Sequence, residues 1–447
     1  MTETNVNHVK QNKIKFKVNI IPTIETDFNV LAEYINNNLN KNKTLFKTSN
    51  DEPTPLDCCS EMISKIPNTF WNRPNIKILD PCSGYGNFVI ILYSILKSKF
   101  STKDILEKII TFNEINKDRI FLLNHIFLGY KYKLNITQID FLKYPENVKY
   151  DLQVVNPPYA KFCQTKDKDG NIVMKRASKN HTLVRDFIEK SLDICNDGGF
   201  IVYIVPNNWM SLADRNTVIK LLTKYQFHHL DIGSSKKYFP KVGSSFTYFI
   251  LEKKPFYKDF NVSCLYNKKI YNSIVKSQER DFIPLCYNNL VQSILNKVLS
   301  GSNKFGIETT SDLHKYTKKH LINKEETKEY KYRLIHTDKQ TVYSKRPHKY
   351  QDGYKVFLST TGAWNLFVDN CGMTQSIAFI RTPNEETAIK YKKILEHPLY
   401  KFINNICRWG NFNCIRILNR MTIPTDENNI YKSFNISQEE IKFIEGI

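Results

Sequence analysis

The sequence predicts an α/β protein, with an open, Rossmann-like parallel sheet in the first half and a mixed α+β unit in the second. Three observations carry this prediction. The stretch NIKILDPCSGYGNFVIILYSIL reads as strand, glycine turn and helix in immediate succession. Three apolar runs in a row end in an acid, at Asp80, Glu114 and Asp140, and a fourth stops at Asn156-Pro157-Pro158-Tyr159. After Lys253-Lys254-Pro255 the chain changes character, becoming rich in Tyr, Lys and Asn with shorter β-like runs.

Residues 1–45 are expected to form an N-terminal peripheral segment. Phe28, Leu31, Ala32, Ile35 and Leu39 fall at helical spacing, and the polar stretch NNNLNKNK ends the helix. In NDEPTPLDCCSEMISKIP, Thr54 is expected to cap a helix with Pro55 at its first position and Leu56, Cys59, Met62, Ile63 and Ile66 on its buried face. The free N–H groups at such a start suit an anion such as a carboxylate, though the same residues also make an ordinary helix start. Ile76 to Leu79 reads as a strand, Asp80 to Phe88 as a turn and Val89 onward as a helix. Gly84 and Gly86 let backbone approach a ligand closely. The turn lacks the third glycine of the dinucleotide fingerprint, and Asp80 would repel a pyrophosphate, so it favours a cofactor with a cationic amino acid portion. A second strand, Ile109 to Phe112, ends at Glu114, where an acid can accept ribose hydroxyls. A third, Leu134 to Ile139, ends at Asp140-Phe141, an acceptor and a ring suited to adenine.

Tyr150 to Val155 is the fourth strand. Two prolines cannot donate to a sheet ladder, and each holds the preceding residue extended, so the strand must end in a stiff turn. That turn offers an amide at Asn156, a carbonyl at Pro157 and a ring at Tyr159. Held rigidly, these suit a planar amino-bearing group such as a nucleobase; a proline-rich strand exit is the plainer reading. Residues 160–180 are polar and basic, either a mobile loop touching phosphates beside the site or a disordered insertion. His181 to Asn196 reads as a helix, GGFIVYIVPNNWM as a buried strand ending at Pro206, and Arg215 to Tyr225 as a helix. FHHLDIG and SSFTYFILEKK are expected to be the last two strands, with Phe239 on the loop between them and His228 and His229 structural. Beyond Pro255, Tyr354 to Leu358 and Gln375 to Ile380 read as strands and Glu385 to Leu395 as a helix. HTDKQTVYSKRPHKYQDGYK interleaves bases with aromatics and suits phosphate contact and stacking; an accessory structural unit fits it equally.

With 447 residues the chain is long enough for two or three domains. Its net charge of +21 and isoelectric point near 9.3 point to a polyanionic partner, set against a merely solvated basic surface. The ten cysteines show no zinc-like spacing, so reduced thiols and no metal are expected. The N-terminus lacks a signal-type apolar core, and no run approaches the roughly 20 apolar residues that span a bilayer, which predicts a cytoplasmic protein without a membrane partner.

As an ordered set, the TP helix, DPCSGYGNF, NEIN, DF, NPPY, GGFIVYIVPNNWM and FPKVGSSFTYFIL resemble the γ-class DNA adenine-N6 methyltransferases of type II restriction–modification systems. The resemblance covers roughly residues 46–255 and continues more weakly in GMTQSIAFI and RMTIP. It implies a class I S-adenosylmethionine-dependent catalytic domain at 46–255 and a DNA target-recognition domain at 256–447. It also implies S-adenosylmethionine as cofactor and double-stranded DNA as partner; no nuclease signature such as a PD…ExK or HNH pattern stands out, so any cleavage would have to come from a separate cognate restriction endonuclease. Position by position, Thr54 and Pro55 match the motif near the methionine carboxylate, and Asp80, Gly84 and Gly86 the loop around the methionine portion. Glu114 matches the ribose acid, Ile115 the adenine neighbour, Asp140 the adenine amine acceptor and Phe141 its ring neighbour. Asn156, Pro157 and Tyr159 match the target-base tetrapeptide, and Phe239 the second aromatic on the extruded adenine. Pro53 stands where the family usually has an aromatic, and Cys82-Ser83 and Tyr85 where Ala-Cys and Ser are usual. The implied activity is methyl transfer to N6 of a flipped-out adenine. RNA or protein-amide N-methylation, which NPPY-type turns also serve, and a catalytically silent DNA-specificity module are the alternatives.

Overall fold

The computed structural model describes residues 21–41, 52–159, 162–166, 172–176, 182–212, 217–240, 243, 245–276, 281–408 and 410–446. Its first half is built on β1 (Ile78–Asp80), β2 (Ile110–Asn113), β3 (Asn135–Thr137), β4 (Tyr150–Val155), β5 (Phe162–Lys166), β6 (Ile172–Arg176), β7 (Cys195–Pro206), β8 (Gln226–Ile232), β9 (Phe246–Glu252), β10 (Phe260–Tyr266) and β11 (Lys269–Val275). All but β5 and β6 join one nine-stranded sheet in the order β11-β10-β8-β9-β7-β4-β1-β2-β3. The run β3-β2-β1-β4-β7 is parallel throughout, whereas β9 inserts antiparallel between β7 and β8. The chain leaves β1 toward β2 and β3, then returns to the other side of β1 as β4. Strand order therefore reverses between β1 and β4, and a crevice opens where both strands end.

The helices explain why these strands are apolar on both faces. They are α1 (Phe28–Tyr34, continuing as a π-helix to Leu39), α2 (Leu56–Ser64), α3 (Asn87–Leu96), α4 (Thr102–Asp104, continuing as a π-helix to Ile109), α5 (Lys117–Ile126), α6 (Thr182–Asp193) and α7 (Val218–Leu222). Leu152, Val154 and Val155 of β4 are fully buried, as are Ile78 and Leu79 of β1, each contributing about 1.5–3 kcal/mol on burial. The N-terminal helix docks on the sheet unit: Leu31, Ile35 and Leu39 are buried, and the Ile24 N–H donates to the Ile126 carbonyl. Residues 1–20 and 42–45 of the expected peripheral segment lie outside the described residues.

Three expectations are corrected here. The sheet does not end at Lys254. β10 adds parallel to β8 and β11 pairs antiparallel with β10, so the sheet runs to Val275 and Pro255 only marks a connection inside it. Within 160–180, β5 and β6 pair as an antiparallel hairpin, from Phe162 opposite Arg176 to Lys166 opposite Ile172. Finally, the first residue outside α2 is Pro55, which makes no side-chain cap, and the Thr54 hydroxyl is used elsewhere.

The second half holds β12 (Ile322–Asn323), β13 (Tyr332–Thr337), β14 (Gln340–Ser344), β15 (Lys355–Ser359), β16 (Leu366–Asp369), β17 (Gly372–Met373) and β18 (Ile377–Arg381), with helices α8 (Asn289–Leu299), α9 (Glu385–Leu395) and α10 (Pro398–Cys407). Its strands form sheets ordered β12-β14-β13-β17 and β16-β15-β18. A backbone bond from Ile283 to Met210 and a contact from Cys414 Sγ to the Leu212 carbonyl at 3.7 Å tie the halves together. Among the described residues no helix is long and apolar enough to cross a membrane.

Candidate active site at the strand-order switch

The loop after β1 and the loop after β4 face one another across the reversal point. Between them lies a small open cleft with room of about 50 Å³, lined among others by Thr54, Gly84, Tyr85, Asn87, Arg119 and Asn156. Gly84 sits at φ +57°, and a Cβ there would meet nothing within 4 Å, so backbone borders open space. Gly86 is also required by the packing. At φ +94° it starts α3, and a Cβ would come 2.4 Å from the Phe127 ring.

Two acids brace this loop. Glu114, 4% exposed, accepts from the Gly84 N–H at 2.8 Å through Oε2 and from the Asn116 N–H at 2.8 Å through Oε1, with Arg119 Nη1 at 3.7 Å. Asp80 is buried at the tip of β1, where its Oδ1 accepts from the Cys82 N–H at 3.3 Å. Its Oδ2 is buried and has no hydrogen-bond partner among the described residues, and neither has the Oδ1 of Asn87. Burial pushes the Asp80 carboxyl well above the ordinary range; the Cys82 N–H opposes that and the Glu114 charge adds to it.

The proline turn beyond β4 holds Asn156 in one orientation. Its Nδ2 donates to the Glu52 carbonyl at 2.9 Å and to Thr54 Oγ1 at 3.0 Å, while its Oδ1 accepts from the Tyr159 hydroxyl at 2.6 Å. Rotating the amide by half a turn would set oxygen against the Glu52 carbonyl. Pro157 is buried and Pro158 exposed. The Tyr159 ring, nearly buried, lies 6.0 Å from Phe246, and Phe239 lies 5.0 Å from Phe246 on its own account. Tyr159, Phe246 and Phe239 thus form one contiguous aromatic group, although Phe239 comes from the loop between β8 and β9.

The sequence-predicted residues do not all meet in the cleft. Thr54, Gly84 and Asn156 line it, and Glu114 reaches it through the Gly84 N–H. Pro55 lies just behind Thr54, at the start of α2. Asp140 is exposed and caps a 3-10 turn, accepting from the Leu142 N–H, while Phe141 is buried 5.2 Å from Phe187. Ile115 is 65% exposed. Asn87, Arg119 and Glu52 line the cleft without having been singled out. Asn87 stands inside GYGNF and Arg119 inside NEINKDR, so position in a motif was the available signal. Asn40 carries none, yet its Oδ1 accepts from the Tyr85 hydroxyl and from Asn87 Nδ2. His228, hydrogen-bonded to Glu252 at 2.8 Å, and His229, stacked on Tyr248, sit inside the sheet layer.

Known proteins resemble this chain at two levels. The type II methyltransferase M.VspI of Vibrio sp. (strain 343) is 25% identical over 173 residues, which make up 37% of this chain and 39% of that protein. The chain therefore matches about two-fifths of that relative's length. A solved structure of a nuclease-deletion mutant of the Type ISP restriction-modification enzyme LlaGI, in complex with a DNA substrate mimic, superposes with a TM-score of 0.52 at 12% identity. It covers 90% of this chain and 47% of that one, a likeness of fold. The sequence profile described as Eco57I restriction-modification methylase matches residues 15–239, from the N-terminal helix through the cleft to Phe239. The chain belongs to the Eco57I restriction-modification methylase family.

Proposed function

We propose that this chain methylates DNA, transferring a methyl group to N6 of an adenine turned out of the duplex. The observation that carries the proposal is the fixed Asn156 amide on a proline ledge, opening on the same cleft as Gly84 and beside Tyr159. Family membership implies S-adenosylmethionine as the cofactor. The residues present fit it. Two buried acceptors without partners among the described residues, Asp80 Oδ2 and Asn87 Oδ1, suit the ammonium end of an amino acid, and the bare Gly84 backbone admits a close neighbour. Thr54, Asp80, Gly84, Asn87 and Glu114 would hold that ligand, which supplies a methyl group already activated on a sulfonium. Asp140, Phe141 and Ile115, placed beyond β2 and β3, are proposed for its adenine end, and Pro55 for the N-terminus of α2.

The adenine amino nitrogen is a poor nucleophile because its lone pair is spread into the ring. The Asn156 Oδ1 and the Pro157 carbonyl accept its two N–H bonds and favour a pyramidal nitrogen with the lone pair free. Both acceptors are fixed before the base arrives, so little reorganisation is needed. Tyr159 and Phe239, both buried against Phe246 in this structure, are proposed to be uncovered by the incoming base and to offset the few kcal/mol needed to unstack it. The basic second half, beyond the nine-stranded sheet that ends at Val275, is proposed to contact the DNA and select the site, with a separate restriction endonuclease as partner. The test is labelled methyl transfer to unmethylated duplex DNA, RNA and protein in parallel, followed by nucleoside analysis. N6-methyladenine in the DNA alone is expected. Label in RNA or protein but not in DNA, or in no substrate at all, overturns the proposal.

A further inference from the structure

Glu61 lies on α2, the helix that starts beside the cleft at Pro55. Its Oε2 accepts from Lys237 Nζ at 2.8 Å and from the Tyr238 hydroxyl at 2.6 Å, and its Oε1 accepts from the Tyr248 hydroxyl at 2.9 Å. Lys237 and Tyr238 end the 3-10 turn Ser234–Tyr238, immediately before Phe239, and Tyr248 stands on β9 just beyond the same loop. One carboxylate therefore grips both ends of the loop that carries Phe239. A second acid holds the turn from beneath: Asp231 at the end of β8 accepts from the Ser234 hydroxyl and from the Ser235 N–H at 3.2 Å. Lys236 Nζ closes the turn on the Phe239 carbonyl at 3.2 Å.

We propose that Glu61 is a positioning residue, which sets the Phe239 loop against α2 so that the helix bordering the cleft also fixes the buried aromatic group in which Phe246 joins Phe239 to Tyr159. The inference rests on the methylation reading above, but the anchoring it describes is measurable without it. Lys237 is half exposed, and such an ion pair holds little on its own. The tyrosine hydroxyls carry the geometry: Tyr248 is 1% exposed, and its ring stacks on His229. Burial alone would raise the Glu61 carboxyl, yet the bonds from Lys237, Tyr238 and Tyr248 outweigh it and keep the group ionised. The phenol and ammonium of the turn and the phenol of β9 converge on this one carboxylate, so it joins the two flanks of the loop.

The test compares the full chain with its Glu61→Ala, Glu61→Gln and Tyr238→Phe variants. Hydrogen exchange is read at residues 234–239, with β1 and β4 as internal references. In Glu61→Ala the loop amides are expected to exchange about ten times faster or more while the reference strands do not change. In methyl transfer to unmethylated mixed-sequence duplex DNA, the same variant should lose roughly tenfold to a hundredfold in kcat/KM, with cofactor affinity within about twofold of wild type. Glu61→Gln retains an oxygen for the tyrosines and should recover most of the loss; Tyr238→Phe should fall between. Loop exchange in Glu61→Ala indistinguishable from wild type overturns the inference, as does a loss that Glu61→Gln shares in full. A wild-type chain that methylates no adenine sinks the function proposed above, and the exchange comparison then decides the anchoring alone.

Discussion

Replacing Thr54 by Val tests whether the orientation of Asn156, rather than its presence, matters. Valine keeps the shape and removes one of the two acceptors that hold Nδ2, leaving the Glu52 carbonyl at 2.9 Å. A hydrogen bond of this kind is worth about 0.5–1.5 kcal/mol net, so the oriented amide should lose that much of its advantage, or about threefold to tenfold in the transfer step. Asn156→Ala removes the acceptor itself and should cost about a hundredfold to a thousandfold, the scale seen when one preorganised polar group is deleted. If Thr54 acts through Asn156, the two losses must not add. In the double variant, Thr54→Val should cost almost nothing further, giving a coupling of about 1 kcal/mol. Single-turnover transfer at saturating cofactor and DNA supplies the four rates, and cofactor affinity measured by calorimetry serves as the control. Strict additivity would refute the reasoning, because it would place Thr54 on the cofactor alone. So would a Thr54→Val enzyme with unchanged rate.

Tyr159→Ala should weaken base binding by about 1–3 kcal/mol through lost stacking, whereas Tyr159→Phe keeps the ring and should bind the base nearly as well; equal binding by all three proteins in a titration with abasic-site DNA plus free adenine analogues would contradict the role. Gly86→Ala should destabilise the fold by roughly 2–4 kcal/mol, because a methyl at φ +94° would sit 2.4 Å from the Phe127 ring. Gly84→Ala meets no neighbour, so its cost should be about 1–2 kcal/mol of backbone strain together with a loss of cofactor affinity as the methyl enters the cleft; thermal unfolding and calorimetry separate the two effects. Burial pushes the Asp231 carboxyl up to about 6 from an ordinary 3.8, against the bonds from Ser234 and Ser235. A raised acid contributes its full stability below the unfolded value and loses it as pH climbs to the folded one, here about 3 kcal/mol between pH 4 and 6. Asp231→Asn should abolish that fall and be the more stable protein at pH 7; equal slopes in paired unfolding curves from pH 4 to 7 would count against it.

His229, two residues before Asp231 on β8, explains why the comparison must be made against the variant. Burial depresses its imidazole to about 4 from an ordinary 6.5, with Lys65 adding to the fall and Glu61 opposing it. A depressed base contributes stability above its unfolded value and loses it as pH drops to the folded one. The two groups therefore slope in opposite directions over nearly the same range, and the wild-type curve conceals both.

What the sequence revealed depended on how local each cause was. β4 was legible to the residue, Tyr150 to Val155, because two prolines end a ladder abruptly. α9 was equally legible, from Glu385 to Leu395, and Asn384 caps it locally through the Thr387 N–H. β10 carries the alternation of a half-buried strand, with Phe260, Val262 and Cys264 facing the core and Asn261 and Leu265 facing out, but Lys253-Lys254-Pro255 ahead of it was read as the end of the sheet. The β5–β6 hairpin was missed for want of a continuous apolar run. Thr54 was misread as a cap because the rule for caps considers only the neighbouring helix, and Asn156, 102 residues away, claimed the hydroxyl. Local chemistry fixed the elements; the partners that sit across the fold decided what each polar group does.

That distinction bears on how the cleft works. Glu114 spends one lone pair of each oxygen on the Gly84 and Asn116 N–H groups, and those bonds hold the glycine loop in its left-handed bend. A carboxylate has further acceptor sites, so a ribose would share Glu114 with the loop rather than displace it. Asp80 is placed differently: Oδ1 is engaged by Cys82, and Oδ2 is buried without a partner. Desolvation makes that oxygen costly to keep charged alone, and the cost is relieved when a cation arrives beside it. With the ligand proposed above in the cleft, Glu114 would already be in place, whereas Asp80 would gain a partner for an oxygen that has none among the described residues. Removing the first should collapse the loop in the empty protein, while Asp80→Asn should raise the stability of the empty protein and weaken cofactor binding in the same variant. A Glu114→Gln protein with an undisturbed loop, or an Asp80→Asn protein that loses affinity without gaining stability, would show that this division of labour is wrong.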